Sequence, residues 1–163
     1  MKTKKEVLDF LEKNNCNQEL INDVKANHGY NWIAWSYKEN GVEFTELALK
    51  QDKAKSGHDV YNIAESYKDF GAKFTKLALQ HEKAKSGLDV YWIARSYKQN
   101  GVKFTKLALQ HEKAKSGEDV CYIALSYKKY GAEFTELALQ EDKAKDGHDV
   151  YYIAKKMFNE GNN

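Results

Sequence analysis

The sequence of 163 residues contains no proline at all and only two cysteines, Cys16 and Cys121. The lack of proline excludes polyproline linkers and argues against a loop-rich β fold, whose turns recruit that residue. Two cysteines in unlike settings cannot form a disulfide framework. The uncharged apolar runs fall far short of the roughly 20 residues that a bilayer span needs. The opening stretch MKTKKEVLDFLEK alternates charge with apolarity and lacks the continuous apolar segment of a secretory signal. Neither sign of charge dominates, since 26 basic side chains face 24 acidic ones and leave a net charge of +2. No global field therefore points to nucleic acid or to an acidic membrane. No H-x-x-x-H, C-x-x-C or paired-acid signature is present, so neither a metal, a cofactor nor catalysis is expected. These absences predict a helix-rich, non-enzymatic protein of a reducing, cytoplasmic compartment; usage rich in lysine, asparagine and tyrosine also suits a bacterial or host-directed effector without a Sec signal.

What the sequence does have is repetition, the first thing to seek in any chain. HDVYNIAESYKDFGAKFTKLALQHEKAKSG at 58–87 recurs as LDVYWIARSYKQNGVKFTKLALQHEKAKSG at 88–117 and as EDVCYIALSYKKYGAEFTELALQEDKAKDG at 118–147. A looser copy fills 28–57, and a truncated one closes the chain at 148–163. The period is 30 residues without gaps.

Each copy divides at one glycine: Gly41, Gly71, Gly101, Gly131. Before it, Val90, Ile93, Ala94 and Tyr97 fall at i, i+3, i+4 and i+7, the stripe of an amphipathic helix. After it, Phe104, Leu107, Ala108 and Ala114 suggest a second helix over 102–115, with Lys113 and Lys115 in its last turn, where a cation suits the macrodipole. The glycine is expected as a left-handed C′ residue. Ser86 and Asp89 read as a capping box opening the next first helix, with Asp146 replacing the serine before the last one. One hairpin of this size buries too little apolar surface to stand alone, so neighbours must stack. Residues 1–27, with Thr3 and Glu6 as a capping box and Val7, Leu8, Phe10, Leu11, Leu20, Ile21 and Val24 as apolar positions, read as an N-terminal capping hairpin. The stretch 148–163 reads as a C-terminal capping helix. The expectation is one all-α domain, an α/α solenoid of about eleven helices in stacked antiparallel hairpins.

The motif V-x-x-I-A-x-x-Y followed by glycine (Val90, Ile93, Ala94, Tyr97, Gly101) resembles the W-x-x-L-G-x-x-Y pattern of the tetratricopeptide-like, Sel-type helical repeats. Ala114 also agrees with the family, whereas Leu107 and His111 stand where it prefers alanine and phenylalanine, and its closing proline is missing. The resemblance implies a right-handed superhelix whose first helices line a concave side that binds peptides or proteins.

Columns that differ between copies are free of the packing requirement. The first column holds His28, His58, Leu88, Glu118 and His148; the fifth holds Trp32, Asn62, Trp92, Tyr122 and Tyr152. The eighth holds Trp35, Glu65, Arg95, Leu125 and Lys155; the twelfth holds Glu39, Asp69, Gln99, Lys129 and Asn159. Offsets of four, three and four residues place them on one face of the first helix. Aromatics on such a face supply apolar area with few rotamers to freeze. The charge is polarised along the chain, acidic at Glu39, Glu65 and Asp69 and basic at Arg95, Lys129 and Lys155, which would steer an extended partner into register. The expected role is capture of a peptide or protein segment. A competing reading packs Trp32, Trp92, Tyr122 and Tyr152 as core between first helices. Self-association through the same aromatics is a further reading.

The alternative function is nucleic-acid binding: the pairs before each glycine (Glu39-Asn40, Asp69-Phe70, Gln99-Asn100, Lys129-Tyr130) are similar to one-repeat-per-base readers. The acidic side chains oppose the positive track such readers need. On the second helices, Glu43/Glu46 and Glu133/Glu136 flank Lys73/Lys76 and Lys103/Lys106, predicting surface ion pairs across the outer junctions. The lysines of the KAK segments read as solubilising, His81 and His111 as half-buried hydrogen-bonded imidazoles, and Cys121 as a small apolar substitute for tyrosine.

Overall fold

The computed structural model describes residues 2–162, and among them it contains ten helices and no strand. They are α1 (Lys4–Lys13), α2 (Gln18–Lys25), α3 (Asn27–Asn40), α4 (Val42–Leu49), α5 (Gly57–Phe70), α6 (Ala72–Gln80), α7 (Gly87–Asn100), α8 (Val102–Leu109), α9 (Gly117–Gln140) and α10 (Gly147–Gly161). No helix is long and apolar enough to cross a membrane among the described residues. The chain divides into two compact units, Met1–Tyr91 and Trp92–Asn163, with the boundary inside α7. In the first, α3 packs on α2, α4 and α5, and α5 also touches α4 and α6; in the second, α9 packs on α8 and α10.

The helix starts follow the capping residues. Thr3 and Glu6 form the reciprocal box, with Glu6 N–H donating to Thr3 Oγ1 at 3.2 Å. Ser86 accepts from Asp89 N–H at 3.2 Å, Ser116 from Asp119 at 3.1 Å, and Asp146 from Asp149 at 2.9 Å. Each such bond satisfies one donor of a helix's first turn that has no partner within the helix.

The mid-repeat glycines depart from expectation. Gly71 has φ 89° and ψ 165°, not the left-handed helical values of a C′ cap but a region essentially restricted to glycine. The chain reverses there without an extra residue, and the Gly71 carbonyl accepts from Thr75 N–H at 3.2 Å, opening the second helix. Gly131 adopts the same conformation inside α9, which therefore consists of two helical segments. A Cβ at Gly71 would meet nothing within 4 Å, so backbone conformation alone demands glycine.

The second helices are shorter than the apolar stripe predicted. α8 ends at Leu109, leaving Lys113, Ala114 and Lys115 in a tight turn outside it, so the macrodipole account of these lysines fails. Ala114 is buried in that turn, its N–H donating to the His111 carbonyl at 3.1 Å. His111 Nδ1 accepts from Lys113 N–H at 3.1 Å, and His81 does the same for Lys83, so each imidazole closes its own turn. Burial holds the His81 imidazole below its usual range. The KAK lysines are not merely solubilising: Lys53 donates to the His81 carbonyl, and Lys113 to that of Glu141 at 2.7 Å, linking successive turns.

The core is the predicted first-helix stripe, with Val60, Ile63, Ala64 and Tyr67 buried in the first unit and Val120, Ile123, Ala124 and Tyr127 in the second. From the second helix it takes Thr105, Ala108 and Leu109, while Phe104 and Leu107 are only half-buried. At the N-terminal end Val7, Leu11, Leu20, Ile21 and Val24 are buried, with Leu8 and Phe10 half-buried.

Candidate partner-binding face

In the first unit, α3 and α5 bring five of the six predicted residues to a common surface. Trp32 and Trp35, one turn apart on α3, stack with ring centroids 5.2 Å apart. Trp32 Nε1–H donates to His28 Nε2 at 3.1 Å, and the His58 ring lies 4.4 Å from Trp32. Trp32 is half-buried, whereas Trp35 remains 48% exposed. The Tyr61 ring of α5 closes on both indoles, at 5.4 Å from Trp32 and 5.2 Å from Trp35. Glu39, Glu65 and Asp69 surround Tyr61: after burial, their charges are what push its hydroxyl upward. Burial, and then the neighbouring Asp69, raises the Glu65 carboxyl above its ordinary range.

Asn62 is the exception. It is only 6% exposed, its amide 3.4 Å from His58 Nε2, so it belongs to the packing and not to the solvent face.

In the second unit the same columns carry cations. The Arg95 guanidinium lies over the Trp92 ring at 5.0 Å, and its Nε donates to Gln99 Oε1 at 3.1 Å. Tyr122 packs against His148 at 3.9 Å, and His148 reaches Glu118 at 3.8 Å. Lys155 stands over Tyr152 at 5.9 Å, and Lys129 over Tyr151 at 5.8 Å. Trp92, Arg95, Tyr122 and Leu125 are half-buried, Gln99, Lys129 and Lys155 are exposed, and Tyr152 is 56% exposed. The fifth-column aromatics are thus neither sealed core nor free surface: each packs edge or face on a neighbour and keeps part of its ring in solvent.

Two columns pair across copies, which neither column predicts by itself. The fourth position of one copy meets the thirteenth of the copy before it, 21 residues earlier. Asn40 Nδ2 donates to the Tyr61 carbonyl at 3.3 Å, and Asn100 to that of Cys121 at 3.2 Å. Phe70 packs on Tyr91 at 5.0 Å, and Tyr130 on Tyr151 at 5.4 Å with a hydroxyl–hydroxyl bond of 3.1 Å. Burial and that bond push the Tyr130 hydroxyl up to about 12, while the same bond lowers Tyr151. The columns alone do not signal this pairing, since tyrosine follows Asn40 as well as Phe70 and Tyr130.

No group of three or more His, Cys, Asp or Glu side chains that could hold a metal occurs among the described residues. Cys121 is buried and burial raises its thiol, which suppresses the nucleophilic thiolate. The ion pairs expected between second helices are absent among the described residues; Glu46 pairs instead with Lys2 at 2.9 Å. Comparison of the chain with family models, with curated proteins and with solved structures returned no match to any of them.

Proposed function

We propose that the chain is a non-enzymatic interaction scaffold of tetratricopeptide-like character. Its helix pairs stack as a right-handed α/α solenoid, and the first helices line a concave face that captures a peptide or protein segment. The stacking is supported by bonds that recur near the repeat period in each unit. Lys68 donates to the Glu39 carbonyl at 2.8 Å and Lys128 to that of Gln99 at 2.6 Å, each closing the C-terminus of the preceding first helix with a cation. Capture is carried by one observation: partly exposed indole and phenol rings with charged side chains beside them on the columns that vary between copies. Such groups dominate the energetics of protein recognition. A reducing, cytoplasmic setting suits the two unpaired thiols.

The alternative of a base-reading repeat is weakened by the thirteenth column. Asn40 and Asn100 spend their amides on the next first helix, so the pairs before each glycine do not both face solvent. The test is selection of a displayed dodecapeptide library on the full chain and, in parallel, on folded Trp35→Ala and Trp92→Ala/Arg95→Ala variants. Enrichment on the parent that is lost on the variants supports the scaffold. Enrichment that ignores both variants, or salt-sensitive binding of an RNA or DNA oligonucleotide in its place, overturns it.

A further inference from the structure

The second unit displays, within its own chain, what a first-helix tryptophan of this protein binds. The Arg95 guanidinium carbon stands 5.0 Å from the Trp92 ring centroid, and its Nε–H donates to the twelfth-column Gln99 Oε1 at 3.1 Å. The first unit has the same columns with the cation removed. Trp32 occupies the fifth, a second indole, Trp35, stands in Arg95's place, and a carboxylate, Glu39, replaces the Gln99 amide. Glu65 and Asp69 of α5 add negative charge around Tyr61 on the same surface. Neither Glu39 nor Glu65 is ion-paired among the described residues, and Lys68 beside them spends its ammonium on the Glu39 carbonyl.

We propose that the Trp35–Tyr61–Glu39–Glu65 surface of the first unit is an arginine-docking site, which takes an arginine of a partner's extended segment over the exposed Trp35 ring. This deepens the scaffold reading and rests on it. The guanidinium is favoured over an ammonium on chemical grounds. It is planar and weakly hydrated, it stacks on an indole face, and it presents a fork of N–H donors that fits a carboxylate bidentately. None of the given residues supplies that arginine, because Arg95 is the sole arginine among them and is already committed to Trp92 and Gln99. A second copy of this chain offers only lysines.

The chain has three tryptophans, so three indole N–H resonances separate the sites. The probe is a Gly/Ser dodecapeptide bearing three arginines, titrated into the full chain and followed by NMR, with lysine and citrulline counterparts. The arginine peptide should shift the Trp35 indole and leave that of Trp92, already covered, in place. Citrulline keeps the shape without the charge and should lose about tenfold or more in affinity; lysine should lose several-fold. Glu39→Gln, an exposed change that leaves the packed rings alone, should weaken the arginine peptide to a similar degree. An unshifted Trp35 indole, or equal response to citrulline, overturns the assignment. Library-selected peptides that need Trp35 yet tolerate citrulline for arginine would overturn it while leaving the scaffold reading intact; absence of any Trp35-dependent peptide would remove both.

Discussion

Lys2 holds Glu46 in an ion pair at 2.9 Å, and the Tyr37 hydroxyl, buried in the same corner, has no hydrogen-bond partner among the described residues. In the fourth copy the residue equivalent to Glu46, Glu136, stands by the Tyr127 phenol, which burial first and then that carboxylate push upward. Burial chiefly, with Glu46 and Glu6 behind it, pushes the Tyr37 phenol well above its usual range, so it stays a neutral donor with nothing to donate to. An unmade buried hydrogen bond costs more than its removal. Tyr37→Phe should therefore leave the chain equally stable or more stable by about 1 kcal/mol. The melting temperature of the variant should stay level or rise, by roughly 2–4 °C per kcal/mol for a chain of this size, and a fall of several degrees would contradict the unpartnered hydroxyl.

The Ser66 and Thr75 hydroxyls lie 2.7 Å apart, both fully buried, and pin the first helix of the repeat to the second. The same pair recurs at the same distance as Ser36–Thr45, Ser96–Thr105 and Ser126–Thr135. Removing one hydroxyl strands the other away from water. Ser66→Ala and Thr75→Val alone should each cost about 1–3 kcal/mol, and the double variant should cost clearly less than their sum. Urea denaturation of the four proteins in the cycle measures the coupling.

Much of the fold could be read from one chain because its copies act as their own comparison. The glycine-bounded period and the Val/Ile/Ala/Tyr stripe locate the first helices of the three central copies, and the period extends the reading to Tyr30 in the first copy and Met157 in the last, where the stripe is incomplete. The second helix was overextended because Ala114 lies at a helical spacing from Phe104 and Leu107 while being buried by a turn, and periodicity cannot tell the two apart. Columns that never vary were assigned to apolar packing, so the Ser–Thr clasp went unread although both residues stand unchanged in all four copies. The variable columns can be listed from the sequence, but the burial of Asn62 and the closure of Tyr61 over the tryptophans depend on contacts between copies. A pattern within one helix does not contain them.

The two glycine columns make different demands and should fail differently. Gly71 needs only a conformation, so Gly71→Ala should cost about 1–3 kcal/mol, the strain of its dihedral region. Gly87 is helical, but its N–H donates to Asp59 Oδ1 at 2.8 Å, and a Cβ there would collide with the Asp59 backbone. Gly87→Ala must push one first helix off the other, separating packed surfaces on both sides. Denaturation should show a larger loss for Gly87→Ala than for Gly71→Ala, and amide exchange should show its loss of protection spreading into α5.

Glu65 links stability to the charge of the binding face. Burial first, then Asp69, raises its folded pKa above the ordinary carboxylate value, so between those two values the folded chain holds a proton that the unfolded chain has released. Stability must therefore fall as pH rises through that window, and the penalty is complete only above the raised folded value. Glu65→Gln removes the titration. The variant should melt above the parent at neutral pH, and the gap should close as pH is lowered toward the unperturbed carboxylate value. An arginine peptide bound over the same surface would favour the carboxylate and narrow the gap at neutral pH. Parallel melting curves of parent and variant from neutral to mildly acidic pH, with and without the peptide, check both signs; a gap that widens on acidification would contradict the assignment of Glu65 as a desolvated, like-charge-crowded carboxyl.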